Sequence, residues 1–266
     1  MSLKAEWVPY GPVGEYAGYL AYDESAKKPL PGVLVVQEAW GVDAHIEDVT
    51  RRFASAGYAA FAPDLFAKQA QRPAALLPER LREMLRFMDE MGPSRIDPKA
   101  RDAAFERLPK ASADRLRETL ATLFGGGFLQ PLATASSFLR DELPLTRSRQ
   151  IASVGFCMGG GLSALLATVD PELACAVMFY GRMPPENDIP RIGCPVLAFY
   201  GRNDRVLVDA VPTFQEAMKK HGKLLDVVIY EGAEHAFFND TRVTYDVDAA
   251  RDSFVRTLSF LRQNVV

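Results

Sequence analysis

Residues 151–169 read IASVGFCMGGGLSALLATV and carry the clearest fold signal of the chain. A short apolar run is followed at once by a glycine-rich turn and then by a helix-forming stretch. In the turn, Cys157 lies between Gly155 and Gly159, in a Gly-x-Cys-x-Gly pattern. Small flanking residues are typical of a sharp strand-to-helix turn, where larger side chains would strike the strand and the helix. The stretch predicts a nucleophile elbow with cysteine in the serine position; the alternative is a structural cysteine in a glycine-rich turn.

Apolar runs of the same kind recur along the chain, separated by stretches with apolar residues every three or four positions. The runs predict parallel strands covered on both faces, and the intervening stretches predict crossover helices. With an antiparallel pair expected over 5–10 and 15–22, the chain predicts an α/β fold with a mostly parallel, doubly wound sheet of about eight strands. The other predicted strands are 32–38, 58–64, 151–156, 175–180, 195–201 and 225–232, and the predicted crossover helices are 43–56, 159–169, 207–221 and 243–263.

A helical excursion interrupts this alternation after the second parallel strand. Residues 79–91, ERLREMLRFMDEM, have the spacing of an amphipathic helix, and further helical stretches follow on both sides of the glycines at 125–127. We therefore expect a single α/β domain over residues 1–266, with a helical insertion at about 67–141.

The charge balance restricts the class of partner. The 266 residues include 31 Lys and Arg against 34 Asp and Glu, a net charge of -3. No net basic field is available to hold nucleic acid or an anionic membrane, so a small-molecule substrate is favoured. No apolar run approaches the roughly 20 residues of a membrane span, and the first ten residues lack a signal-peptide pattern. The expected location is cytoplasmic, and these patterns leave the oligomeric state open.

The cysteines and histidines favour nucleophilic chemistry over metal binding. The three cysteines are widely spaced without a Cys-x-x-Cys pair, and only three histidines are present. We therefore expect no structural metal, no disulfide framework and no cofactor. Cys175 and Cys194 lie in or beside apolar runs, which predicts buried, inert thiols.

Partners for Cys157 follow along the chain in the order acid, then histidine, that an elbow of this type requires. Asp204 follows the predicted strand 195–201, and His235 follows the strand 225–232. Ligand crevices open at this edge of a parallel sheet. Taken alone, Asp204 would be interpreted as a loop carboxylate or a helix cap, and His235 as an isolated histidine. Their joint placement instead predicts a triad of Cys157, His235 and Asp204.

The end of the first parallel strand supplies further candidates. Glu38 lies at the expected crevice. Its carboxylate has either a role in the site or a structural role, in capping or in pairing with an arginine. The backbone N–H groups of Ala39 and Met158 are positioned by such a fold to form an oxyanion hole.

Four motifs, in order, resemble the dienelactone hydrolase family of α/β-hydrolases. They are VVQEAWGVDAHIEDVTRRFASAGYAAFAPDLF (35–66), GFCMGGG (155–161), YGRNDRV (200–206) and EHAFFND (234–240). The resemblance implies a cysteine hydrolase of carboxylic esters or lactones that needs no cofactor. It assigns Glu38 to interaction with the resting thiol and to formation of the thiolate, and it makes Cys157, His235 and Asp204 the triad.

The resemblance also implies a substrate site, from which this chain departs. In members that cleave dienelactones, two arginines hold the substrate carboxylate; Arg82 matches the first position, whereas Asn239 occupies the second. Trp40, in the first motif, is a further candidate substrate contact. Because Asn239 is neutral and the helical segment is long, we expect a carboxylesterase that prefers small neutral esters or lactones and handles dienelactone poorly.

Two other classes of function compete with hydrolysis. One is a binding protein on a hydrolase scaffold without turnover, since fold alone does not assign function. The other is a thiol redox protein that uses Cys157. The sequence has no resolving cysteine at a recognisable spacing, which argues against this function.

Overall fold

The computed structural model describes residues 2–69, 71–92, 94 and 97–265. Within them the chain forms two compact units. One comprises the chain up to Leu65 and from Phe128 onward, and the other is Phe66–Gly127.

The first unit is built on an eight-stranded sheet with the strand order β1-β2-β4-β3-β5-β6-β7-β8. β1 and β2 pair antiparallel, β2 joins β4 antiparallel, and every other pairing is parallel. The strands are β1 (Leu3–Tyr10), β2 (Tyr16–Asp23), β3 (Gly32–Val36), β4 (Ala59–Pro63), β5 (Ile151–Phe156), β6 (Leu173–Phe179), β7 (Val196–Gly201) and β8 (Leu225–Tyr230).

Helices connect the parallel strands and also form the second unit. They are α1 (Ala44–Ser55), α2 (Pro78–Met91), α3 (Pro98–Phe105), α4 (Lys110–Leu123), α5 (Leu129–Ser137), α6 (Met158–Leu166), α7 (Arg205–Val208), α8 (Val211–Lys220) and α9 (Val247–Asn264). α5 continues into a π-helical turn at Phe138–Glu142, and 3-10 turns occur at Ala74–Leu76 and Glu186–Arg191. Across the described ranges, none of the helices combines the length and apolar character needed to cross a bilayer.

The sheet is covered on both faces, as its uninterrupted apolar strands require. In β3, Val33 and Val35 pack in the core beneath α1 and α9, whereas Leu34 and Val36 pack in the core beneath α5, α6 and α8. All five β3 residues are buried. Alternation of neighbouring side chains between two buried layers fixes the register of the strand, because a slip of one residue would exchange the layers.

The second unit contains α2, α3 and α4. Thr119 Oγ1 donates to the carbonyl of Ala75 across 3.0 Å, which joins α4 to the 3-10 turn before α2. Phe87 and Phe105 stack with ring centroids 4.8 Å apart and so join α2 to α3. The segment predicted as an insertion, 67–141, covers this unit except Phe66, and it also covers α5 and most of the π-helical turn, which belong to the first unit.

The sheet and its parallel order confirm the predicted fold class. Several predicted elements begin or end a few residues from their observed bounds; β3, for example, ends at Val36 and β6 at Phe179. One predicted element differs in kind: the helix expected over 207–221 is two helices, α7 and α8, with a turn between them. Pro212 lies in the first turn of α8 and has no N–H to offer Val208, so one helix cannot run through this point.

Candidate active site

Cys157 lies in the turn between β5 and α6, as the elbow pattern predicts. Its backbone has φ 53° and ψ -114°, an unfavourable conformation for a residue with a Cβ. Its N–H donates to the carbonyl of Phe179 across 3.0 Å, which ties the turn to β6. Strain of this kind costs on the order of 1–3 kcal/mol and persists only where the surroundings impose it. The half-buried thiol is therefore presented at the carboxyl edge of the sheet.

The glycines around Cys157 are required by close backbone contacts. A Cβ on Gly155 would overlap the carbonyl of Gly159. A Cβ on Gly159 would overlap the carbonyls of Val36 and Gln37, at the end of β3. The N-terminus of α6 can therefore lie directly against the end of β3 only because these residues have no side chain.

His235 links the thiol to a carboxylate. Its Nε2 lies 3.2 Å from Cys157 Sγ, and its Nδ1 lies 2.6 Å from Asp204 Oδ2. Asp204 occupies the N-cap position of α7 but makes no side-chain capping bond there. Its carboxylate instead orients the imidazole. The structure thus brings together the three residues that the sequence predicted as a triad.

Backbone hydrogen bonds between two loops set this alignment. Arg202 N–H donates to Tyr230 O across 2.9 Å, and Asn203 N–H donates to Ala233 O across 3.0 Å. These bonds join the loop that carries Asp204 to the loop that carries His235. Both carriers follow neighbouring parallel strands, β7 and β8, whose carboxyl ends meet at the same edge of the sheet.

Two anionic partners favour the protonated form of His235. Burial acts to lower its pKa, but the charges of Cys157 and Asp204 and their hydrogen bonds outweigh it and raise the pKa from 6.5 to about 10. A protonated imidazole in contact with a cysteine sulfur and a carboxylate is the kind of arrangement that can activate a thiol.

Glu38 lies two residues beyond β3, with 2% of its surface exposed. Its Oε1 accepts a hydrogen bond from Tyr180 OH at 3.2 Å, and its Oε2 accepts one from Asn239 Nδ2 at 2.9 Å. Asn239, which the sequence assigned to the substrate, is 1% exposed and also accepts from the N–H and hydroxyl of Thr241. The side-chain hydrogen bonds of Asn239 are thus to Glu38 and Thr241.

The other predicted positions divide between the two units. Ala39 follows Glu38 in the turn that closes through a hydrogen bond from Gly41 N–H to Glu38 O at 3.3 Å, and Met158 is the first residue of α6. Trp40 is half-buried, with the Arg242 guanidinium 5.8 Å from its ring centroid. Arg82 lies on α2, in the second unit, with its side chain exposed. Its role in binding substrate stays a prediction.

The two remaining thiols are buried, as predicted. Cys175 is fully buried and Cys194 is 8% exposed. Burial raises the pKa of both thiols, that of Cys194 to about 12. Among the residues that the structure describes, no group of three or more His, Cys, Asp or Glu side chains is arranged to hold a metal ion.

Sequence reasoning missed two features of this site. The sequence pattern places Tyr180 only in a strand. Its position at the carboxyl edge of the sheet could have indicated a role in the site. The second feature is His45 on α1: its Nδ1 lies 3.5 Å from Asp240 Oδ1, and Arg52 Nη2 donates to Asp240 Oδ2 across 2.6 Å. Asp240 directly follows Asn239, so α1 anchors the segment that reaches Glu38.

Comparison with known proteins identifies the family. The model of the dienelactone hydrolase family matches residues 16–265. The chain belongs to the dienelactone hydrolase family. As a member of this family it is a carboxylic ester hydrolase, in agreement with the prediction from its four motifs.

Individual relatives of this dienelactone hydrolase family member support the same family assignment. A protein of Saccharolobus solfataricus named "Putative carboxymethylenebutenolidase" is 32% identical, over 91% of this chain and 93% of that protein. One of the same name from Methylorubrum extorquens is 29% identical, over 88% and 72%.

Solved structures extend the likeness to the fold. The crystal structure titled "Putative Dienelactone Hydrolase" from Klebsiella pneumoniae has a TM-score of 0.73 and 27% identity, over 99% of this chain and 100% of that chain. A fungal esterase structure from Rhizomucor miehei has a TM-score of 0.66 over 99% and 84%, and at 12% identity it shows a common α/β-hydrolase fold alone.

Proposed function

We propose that this family member hydrolyses small carboxylic esters or lactones with Cys157 as a thiolate nucleophile. The observation that carries the proposal is the continuous set of contacts from Cys157 Sγ through both nitrogens of His235 to Asp204 Oδ2, at 3.2 and 2.6 Å. The raised pKa of His235 supports a thiolate and imidazolium pair in the resting enzyme. A thiolate is the reactive form of cysteine.

In the first half of the reaction, Cys157 Sγ attacks the ester carbonyl carbon. The carbonyl electron pair moves to oxygen, and the N–H groups of Ala39 and Met158 stabilise the resulting oxyanion. The intermediate then expels the alcohol oxygen, which takes the proton from His235 Nε2. The products are a thioester on Cys157, a neutral imidazole and an alcohol, which for a lactone stays attached to the acyl group.

In the second half, water replaces the alcohol. His235 Nε2 removes a proton from water as the hydroxide adds to the thioester carbonyl, and the C–S bond then breaks. The carboxylic acid leaves, and the thiolate and imidazolium are regenerated. Throughout, Asp204 orients the imidazole and stabilises its positive charge.

Glu38 belongs to the proposed site because it precedes Ala39, the proposed oxyanion donor. The resemblance assigns this glutamate to the resting thiol. In this chain both of its carboxylate oxygens accept hydrogen bonds from Tyr180 and Asn239, and Cys157 Sγ already lies beside His235. We propose that the imidazole, rather than Glu38, receives the thiol proton.

The proposal is tested by hydrolysis of a panel of small esters and lactones, combined with trapping of the acyl group. Wild-type enzyme should release alcohol in a burst and carry the acyl mass on the peptide that contains Cys157. Cys157→Ala should abolish both signals and keep the fold. Cys175→Ala and Cys194→Ala are the matched controls and should keep turnover, because both thiols are buried.

The outcomes separate the competing functions. Equal hydrolysis in all three cysteine variants would contradict Cys157 as the nucleophile. A protein that binds esters without releasing alcohol would be the silent binding module. Peroxide-dependent oxidation of Cys157 with no ester turnover would identify a thiol redox protein.

A further inference from the structure

The backbone of Tyr180 is fixed where three elements meet. Tyr180 directly follows β6, has φ 40°, and is 1% exposed. Its N–H donates to Phe199 O on β7 across 2.8 Å. A Cβ on the next residue, Gly181, would overlap the backbone of Gly160 on α6. A bulky residue in the left-handed region is costly, so the surroundings hold this side chain in one direction.

From this position the side chain contacts two residues of the site. Its hydroxyl donates to Glu38 Oε1 across 3.2 Å, and its ring centroid lies 5.1 Å from that of His235. Burial and the neighbouring Glu38 and Cys157 charges raise the pKa of the Tyr180 phenol far above its ordinary value of 10. The hydroxyl therefore stays protonated and available as a donor.

The role of this hydroxyl differs from that of the hydroxyls of Tyr10 and Tyr200, two other deeply buried tyrosines. Tyr10 OH donates to Pro131 O, and Tyr200 OH donates to Gly181 O, so both bind backbone carbonyls. Tyr180 OH binds a buried carboxylate whose other oxygen is held by Asn239. Both oxygens of Glu38 are thereby fixed, and with them the residue that directly precedes Ala39.

We propose that Tyr180 is a positioning residue for ester hydrolysis, which fixes Glu38 through its hydroxyl and one side of the His235 imidazole through its ring. The inference rests on the proposed function. Through Glu38, the hydroxyl holds the start of the turn whose Ala39 N–H is the proposed oxyanion donor. Because Tyr180 does not reach the substrate in this role, its loss slows the chemical steps without weakening substrate binding.

The test is a double-mutant cycle on kcat and KM with Tyr180→Phe and Glu38→Ala. Tyr180→Phe keeps the ring beside His235 and removes only the donor to Glu38. We expect kcat to fall by about tenfold with little change in KM, the typical effect of losing one hydrogen bond to a charged group. In the Glu38→Ala background, Tyr180→Phe should cause no further loss of kcat.

Tyr10→Phe is the matched control, because it removes an equally buried hydroxyl from a carbonyl away from the site. It should lose stability but keep kcat. Urea unfolding of the same four proteins of the cycle measures the coupling between Tyr180 and Glu38 without reference to activity.

Each outcome has a defined meaning. Additive kcat losses, a wild-type kcat in Tyr180→Phe, or an equal loss in Tyr10→Phe would overturn the positioning role while leaving the proposed hydrolysis intact. Absence of ester hydrolysis in the wild type would overturn the proposed function and the positioning role together, even if the unfolding cycle showed coupling. Tenfold, non-additive loss in kcat supports the proposal.

Discussion

Asn239 donates its side-chain amide to Glu38 Oε2 across 2.9 Å, although 201 positions separate the two residues in the chain. Both are almost wholly buried. The position that the family resemblance assigns to a substrate-binding arginine is thus occupied by a neutral donor that contacts a carboxylate of the protein. This substitution bears on substrate charge, on the geometry of the site and on what could be inferred from sequence.

Substrate charge is the first prediction. A lactone that carries a carboxylate should have at least about tenfold lower kcat/KM than a neutral lactone of similar size, because Asn239 provides no charge-assisted bond to an anion. Steady-state kinetics on the matched pair provide the measurement. The contrary result is a preference for the anion that is lost in Arg82→Gln or Arg242→Gln, which would place anion binding on one of those arginines.

The proton-transfer pair gives the second prediction. His235→Ala should lower kcat by roughly 100- to 10,000-fold, the usual contribution of a general acid and base. Asp204→Asn should also reduce kcat, but by less, because the carboxylate orients and stabilises the imidazolium without exchanging a proton. Single-turnover acylation is the measurement, with His221→Ala as a control on a histidine at the end of α8. Wild-type acylation in His235→Ala is the opposing outcome.

The dependence of stability on pH gives the third prediction. Folding raises the pKa of His235 from 6.5 to about 10, so the folded state binds its proton more tightly than the unfolded state. Its stabilising contribution is therefore complete below pH 6.5, declines above it and is gone above about pH 10. Urea unfolding at pH 6 and pH 10 should show a larger loss in the wild type than in His235→Gln. Identical losses in the two proteins would contradict the raised pKa.

The contact between α6 and β3 gives the fourth prediction. Gly159→Ala should destabilise the protein by about 1–3 kcal/mol and lower kcat, because the added methyl group overlaps backbone carbonyls that cannot rotate away. Gly193→Ala is the control, since a Cβ there meets its nearest atom at 3.9 Å. Denaturation midpoints and kcat are compared. Equal midpoints for the two variants would argue against the close approach.

Sequence patterns were sufficient to predict the sheet and the set formed by Cys157, His235 and Asp204. Buried strands have an apolar signature, and the elbow around Cys157 depends on neighbours in sequence. Asp204 and His235 were predicted because the carboxyl ends of parallel strands converge at one edge. The sheet topology therefore places residues that are distant in sequence beside each other when each follows the carboxyl end of a parallel strand.

Contacts that depend on side-chain direction could not be predicted in this way. Tyr180 directly follows an apolar strand, and nothing in the order of residues indicates that its hydroxyl reaches Glu38. Asn239 was assigned by its alignment with an arginine, whereas its amide direction follows from the hydrogen bonds to Thr241. The break between α7 and α8 at Pro212, in contrast, could have been predicted from the sequence, because proline disrupts a helix for local steric and hydrogen-bonding reasons.

The backbone bonds between the loops after β7 and β8 have a consequence for how this enzyme can diversify. The peptide groups of residues 202 and 203 hold the loop that carries Asp204 to the loop that carries His235, whatever side chains project from them. Mutations of the side chains on these loops can therefore change which molecules fit the site while Asp204 and His235 stay aligned. Because the bonds that join the loops are made by the backbone and not by these side chains, mutations can change the range of accepted substrates while turnover continues. New specificities can therefore evolve through variants that are still active.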